Sequence, residues 1–251
     1  MDGFELLVDL HLDGTRQGPG GDDETRRAVD LSGLRDARDL RIADIGCGTG
    51  ASTMVLASEL DAHVVAVDLV PEFLDRLAGE ARHRGFGTRV TTLAAPMDDL
   101  PFDDGAFDAI WSEGAIYIVG FEAGVRAWRR FLKPNGVLAV SELTWLTGTR
   151  PAELDRHWAT EYPEVGTAAA KLAVLEANGF SPIGYFVLPQ RCWLDQYYRP
   201  LQARFDAFLE RHGHAAAARE IVDAEQREID LYERYADHVS YGYYVARRTA
   251  D

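Results

Sequence analysis

The chain has 251 residues, 47% of them apolar, and a formal charge of −15, which allows one large domain with a sizeable core and excludes wholesale disorder. No stretch reaches 18 uncharged apolar residues, so no membrane span is expected, and the Met1-Asp2-Gly3-Phe4-Glu5 start lacks the basic-then-apolar pattern of a secretion signal. Cys47 and Cys192 are too few for a disulfide framework or a structural zinc site, and the acidic surplus, with only Lys133 and Lys171 as lysines, argues against a nucleic-acid partner.

In chain order, residues 13–23 form a Gly-rich loop whose Asp22 and Asp23 are placed to cap a helix starting near Glu24. Leu40 to Asp44 is a short apolar strand, followed by glycines and a helix over Ala51 to Leu60. His63 to Val67 is a second strand with Asp68 at its carboxyl end, and Pro71 opens a helix that runs to about Arg84. Arg89 to Ala94 and Phe107 to Trp111 are the third and fourth strands, and Glu122 to Leu132 is a helix. Lys133-Pro134-Asn135-Gly136 predicts a tight turn into a fifth strand, Val137 to Glu142. Strand and helix alternating at this spacing predict a parallel sheet covered on both faces. Residues 151–179 then read as helical, Phe180 to Leu188 as a strand, 193–237 as helices, and Val239 to Arg247 as a closing strand.

Asp44-Ile45-Gly46-Cys47-Gly48-Thr49-Gly50 is the most informative segment. Glycines after a strand let the backbone turn tightly and approach a ligand closely. The spacing is G-x-G-x-G, not the G-x-G-x-x-G of dinucleotide binding. Asp44 before the loop opposes a pyrophosphate ligand and favours a cationic one, and Asp68 ends the next strand where a carboxylate can accept from two ribose hydroxyls.

Residues 40–142 resemble the class I S-adenosylmethionine-dependent methyltransferases, in the branch related to the ubiquinone and menaquinone biosynthesis enzymes. The likeness rests on the glycine segment, on Val67-Asp68-Leu69, on Met97-Asp98-Asp99-Leu100-Pro101-Phe102 and on Phe131-Leu132-Lys133-Pro134-Asn135-Gly136-Val137-Leu138. It implies S-adenosylmethionine as cofactor, with S-adenosylhomocysteine as product, and a Rossmann-like doubly wound, mostly parallel seven-stranded α/β sheet with helices on both faces. It further implies that Gly46, Gly48 and Gly50, with Thr49 between them, line the methionine and ribose portions. Asp68 binds the ribose hydroxyls, Leu69 packs on the adenine, and Met97 and Asp98 meet its edge. Arg16-Gln17-Gly18-Pro19-Gly20 and Trp111-Ser112-Glu113-Gly114-Ala115-Ile116-Tyr117 are similar to a narrower subgroup of small-molecule methyltransferases. By that resemblance Arg16, Gln17 and Gly18 fold over the cofactor, with Arg16 or Gln17 near its carboxylate.

The expected partition is an N-terminal lid over 1–34, a cofactor core over 35–148, substrate-side helices and a cap over 149–237 carrying one core strand at about 180–188, and a final core strand over 238–251. Methyl transfer from a sulfonium is an in-line displacement that chiefly requires alignment and exclusion of water, with a base where the acceptor starts protonated. Glu113 is a candidate to hold a cationic acceptor, act as base or bind the cofactor's ammonium; the alternative is a capping or solvated acid. Tyr117 offers a substrate-facing hydroxyl or ordinary packing, and His157 a general base on the cap or a structural imidazole. Glu142 and Trp145 are candidates for the acceptor-pocket floor. Trp158, Tyr162, Trp193, Tyr197 and Tyr198 form either an aromatic cap, which would favour an aromatic or amine-bearing acceptor, or plain core. No metal is expected, because His212-Gly213-His214 has no evident third ligand. The expected partner is a small-molecule methyl acceptor, attacked at O, N or C. The default address is the cytoplasm, and a homodimer stays open. The competing functions are a non-catalytic S-adenosylmethionine-binding protein, a nicotinamide-dependent oxidoreductase, which the glycine spacing and Asp44 oppose, and an RNA methyltransferase, which the charge opposes.

Overall fold

A computed structural model of the chain describes residues 2–250; Met1 of the segment read for a secretion signal and Asp251 of the final segment lie outside the described residues. The elements run α1 (Gly3–Leu12), α2 (Asp22–Ser32), β1 (Leu40–Ile45), α3 (Ala51–Glu59), β2 (Ala62–Asp68), α4 (Pro71–His83), β3 (Val90–Ala94), β4 (Phe107–Glu113), α5 (Phe121–Trp128) and β5 (Leu132–Trp145). They continue with α6 (Ala152–Glu161), β6 (Gly166–Thr167), α7 (Ala168–Ala177), β7 (Phe180–Val187), α8 (Gln190–Trp193), a π-helical turn over Leu194–Tyr198, α9 (Arg199–Gln202), α10 (Phe205–Arg211), α11 (Ala216–Tyr235) and β8 (Val239–Arg248).

The main sheet has the order β3-β2-β1-β4-β5-β8-β7, and the two-residue β6 pairs with the end of β5 beyond β4. β8 alone runs antiparallel to its neighbours, β5 and β7. β1 is buried on both faces at Ile42, Ala43, Asp44 and Ile45, as a central parallel strand must be. The chain proceeds outward from β1 to β3 and returns on the other side of β1 with β4, so a topological switch point lies between β1 and β4. A crevice opens at the carboxyl ends of such strands. The Gly46–Gly50 loop and the segment after Glu113 flank it.

Three local expectations change. Asp22 and Asp23 stand in the first turn of α2, with Gly21 at the N-cap and no side-chain cap bond; there they meet the positive end of the helix dipole. The Lys133–Gly136 turn is absorbed into β5 as a distortion, with Asn135 at φ 62° and a register shift opposite Phe107 and Ala109. The helical 151–179 stretch splits at residues 162–165, where Tyr162 ends α6 and β6 joins the sheet.

The helix α1 carries a capping box: Asp2 accepts from the Glu5 backbone at 2.9 Å and Glu5 from the Asp2 backbone at 2.9 Å. Its Leu6 and Leu10 share one apolar core with Leu154, Trp193, Tyr198, Phe208, Ile229 and Tyr232 of the late helices. The amino-terminal helix and the cap are therefore one packed layer over the crevice, while separate cores cover the two faces of the sheet. Among the described residues, no helix is long and apolar enough to cross a membrane.

Candidate active site

The crevice is a cavity of about 690 Å³ bounded below by the sheet edge and above by α1, the 16–19 loop and the cap. Gly46 has φ 73°, and a Cβ there would lie 2.3 Å from the Ala115 Cβ, so the loop after β1 can touch the loop after β4 only as glycine. Gly48 has φ 53°, and its missing Cβ leaves the place of the Gln17 carboxamide, whose Oε1 would be 2.3 Å away. Gln17 accepts from the Thr49 amide at 2.9 Å and its hydroxyl at 3.1 Å, and donates to Gly14 O at 3.1 Å and His11 O at 3.3 Å. Gln17 thus staples the amino-terminal segment onto the glycine loop.

Asp68 accepts from the Gly48 amide at 2.8 Å on one oxygen and the Val70 amide at 3.0 Å on the other. Burial raises its pKa, and each oxygen keeps a second lone pair for a ligand hydroxyl. Leu69 is 59% exposed beside it, and Met97 and Asp98 stand across the same end of the cavity. Arg16, Gln17 and Gly18 line it too.

Asp44 does not line the cavity. It is fully buried and accepts from Ser52 Oγ at 2.7 Å and Thr53 Oγ1 at 2.6 Å, fastening the first turn of α3. Burial pushes its carboxyl up to about 7, against those two hydrogen bonds. Thr49 and Gly50 likewise belong to the turn and its staple rather than the cavity wall.

Glu113 ends β4 at the cavity wall with both carboxylate oxygens engaged. One oxygen accepts from Thr25 Oγ1 (2.6 Å), Tyr243 OH (2.9 Å) and Trp111 Nε1 (3.2 Å); the other pairs with Arg16 Nη1 at 3.0 Å. The Arg16 side chain, 10% exposed, also reaches Asp22 at 3.0 Å. Burial opposes its charge, but Glu113 and Asp22 outweigh it and raise its pKa. A carboxylate with four donors is a structural hub rather than a free base, and Arg16 is bound to protein carboxylates rather than waiting for a ligand's.

At the far end the walls are aromatic: Tyr117, Trp158, Tyr162, Trp193, Tyr197 and Tyr241 line the same cavity. Tyr117 and Tyr162 pack edge to face at 5.8 Å, and Trp193 stacks on Tyr232 at 4.4 Å. Tyr198 is fully buried behind them, donating to Glu228 at 2.8 Å. Glu142 and Trp145 do not form the floor. Glu142 is 1% exposed, one layer back, with burial pushing it up to about 7 against the nearby Lys171. Trp145 stands under the Arg150 guanidinium at 4.2 Å. His157 lines a second groove of about 370 Å³ between α6 and α11, which shares Glu161, Glu225 and Glu228 with the main cavity.

Several lining residues carried no signal in a single sequence. His11 donates from Nδ1 to Leu7 O at 2.9 Å, and burial lowers its pKa. A carbonyl only accepts, so the neutral ring carries its proton on Nδ1, and Nε2 accepts from Tyr197 OH at 3.2 Å. Glu225 and Glu228 are one turn apart on α11; burial pushes Glu225 up to about 7, with Glu228 adding to the shift. Tyr241 and Tyr243 were not singled out either; the period-two alternation of β8, which sends both to the site face and Tyr244 to the opposite core, is the signal that could have found them. Among the described residues, no group of three His, Cys, Asp or Glu side chains could hold a metal.

The methyltransferase domain family matches residues 42–136. The demethylmenaquinone methyltransferase of Clavibacter sepedonicus is 32% identical over 181 residues, covering 70% of this chain and 68% of that one. A methyltransferase from Geobacter sulfurreducens solved with S-adenosyl-L-homocysteine shares the fold, with a TM-score of 0.82 over 97% of this chain and 98% of that one at 17% identity. The [4+2]-cyclase SpnF shares it as well, with a TM-score of 0.75 and 24% identity over 99% of this chain and 93% of that one. With S-adenosylmethionine as its cofactor, the chain belongs to the class I S-adenosylmethionine-dependent methyltransferases, in the branch related to the ubiquinone and menaquinone biosynthesis enzymes.

Proposed function

We propose that the chain methylates an O, N or C atom of a small metabolite with an apolar, ring-sized body. The observation that carries this is one continuous cavity, with the glycine loop and Asp68 at one end and six aromatic rings, from the segment after β4, the cap and β8, at the other. When bound, S-adenosylmethionine supplies a methyl carbon on an already activated sulfur leaving group. The chain therefore has to hold, align and dry the acceptor rather than create a leaving group.

The residues suit the cofactor chemically. Asp68 offers acceptor lone pairs to the ribose hydroxyls, Leu69 and Met97 offer apolar contact to the adenine faces, and Asp98 accepts from its amine. No lysine lines the cavity, and Arg16, its one arginine among the described residues, is already neutralised, so nothing repels a sulfonium. Gln17 and the Arg16–Glu113 pair close the amino-terminal segment over that end and exclude water. Tyr117, Trp158 and Tyr197 clamp the acceptor.

Calorimetric titration with S-adenosylhomocysteine, beside NAD and NADP, tests the cofactor half: micromolar binding of the first alone is expected. Because a cyclase shares the fold, methyl transfer is read separately, as release of S-adenosylhomocysteine from S-adenosylmethionine over a panel of phenols, amines and carbanion-forming ketones. Release without product methylation, or with none of the panel above the acceptor-free rate, counts against the acceptor class.

A further inference from the structure

We infer that the aromatic end of the cavity is a cation subsite, and that the acceptor carries a protonated or quaternary amine held between Trp158, Tyr197 and the Glu225 and Glu228 carboxylates. This deepens the proposed function and rests on it. Glu225 and Glu228 lie three residues apart on one face of α11 and both line the cavity. Glu225 is half-buried and has no hydrogen-bond or salt-bridge partner among the described residues. An unpaired carboxylate on a half-buried wall is costly unless a cation completes it.

The aromatic lining points the same way: Trp158, Tyr197, Tyr117 and Tyr162 line the cavity with the two carboxylates. The negative π-face of such a ring attracts an ammonium group, and that of tryptophan most strongly. No lysine or arginine competes for the carboxylates from the main cavity, since Arg16 is held at the other end by Glu113 and Asp22. Glu161, Glu225 and Glu228 also line the α6–α11 groove, but there Arg227, Arg234 and His157 join them, so the carboxylates lack basic neighbours only on the main-cavity side.

Benzyltrimethylammonium, benzyl alcohol and benzoate, titrated calorimetrically into protein saturated with S-adenosylhomocysteine, test the subsite. The cation should bind at least tenfold more tightly than benzyl alcohol, and benzoate least. Glu225→Gln and Trp158→Ala should each cost the cation at least fivefold, leaving S-adenosylhomocysteine affinity within twofold. The surface substitution Asp104→Asn controls for nonspecific attraction to the acidic chain and should change nothing. Equal binding of the cation and the alcohol, or cation binding indifferent to Glu225→Gln and Trp158→Ala, overturns the subsite. Failure of S-adenosylhomocysteine to bind at the outset is the separate outcome that sinks the proposed function itself, and the two are told apart by the first titration.

Discussion

The contact between Gly48 and Gln17 makes a quantitative double-mutant prediction. Gly48→Ala forces a Cβ into the left-handed region at φ 53°, which costs about 1–2 kcal/mol. The same Cβ would sit 2.3 Å from Gln17 Oε1, so the carboxamide must leave. With it go two accepted and two donated hydrogen bonds, together worth about 2–3 kcal/mol at the lower end of the usual net value. Gly48→Ala should therefore destabilise by roughly 4 kcal/mol, and Gln17→Ala alone by about 2–3 kcal/mol. In the double variant the hydrogen bonds can be lost only once, so the total stays near 4 kcal/mol instead of reaching 6–7, a coupling of about 2–3 kcal/mol. Urea unfolding of the four proteins measures it directly. Additive costs would falsify the claim that Gly48 is glycine to seat Gln17, leaving backbone conformation as its only reason.

Other outcomes follow from the same geometry. Asp68→Ala removes the acceptor for the Gly48 and Val70 amides and should weaken S-adenosylhomocysteine binding by about 1–3 kcal/mol; unchanged affinity in a folded variant rules out the ribose role. Glu113→Gln leaves the buried Arg16 with only the exposed Asp22 as charge partner and should lower unfolding free energy by about 3 kcal/mol, the low end for a broken buried pair; wild-type stability would show that the hub is not structural. Glu142 has a folded pKa of about 7, above its ordinary 4.5, so its protonated form is favoured by folding. That contribution is present at pH 4 and is lost as pH rises through 7. Relative to wild type, Glu142→Gln should gain about 3 kcal/mol between pH 4 and pH 8; a pH-independent difference in denaturation midpoints defeats it.

The cavity residues proposed to hold the cofactor were legible because they sit on short, contiguous segments. Gly46, Gly48, Asp68, Leu69, Met97 and Asp98 all follow strand ends, and strand ends are what hydrophobic runs and turn residues reveal. What sequence spacing cannot show is which neighbour already holds a polar group. Glu113 and Arg16 each looked available for a ligand, yet they satisfy one another. Asp44 looked ligand-facing for lack of any view of Ser52 and Thr53 turning back toward it. At the aromatic end the rings of Tyr117, Trp158, Tyr162, Trp193 and Tyr197 were legible as a cap, but His11, Glu225 and Glu228 were not, because they lie on amphipathic helices whose packing partner is another helix far along the chain. The first of those helices opens with the capping box of Asp2 and Glu5, which went unread because the opening residues were weighed only as a secretion signal.

The cavity wall joins Phe4 and Leu7 on α1 to Tyr241 on β8, so its two sides come from nearly opposite ends of the polypeptide. Closing so long a loop costs entropy before any contact rewards it, and topologies dominated by such pairings fold slowly. The glycine loop, by contrast, needs only β1, α3 and β2. Refolding should therefore restore the β1–β2 neighbourhood before a binding-competent pocket exists, and ligand affinity should recover later than sheet structure.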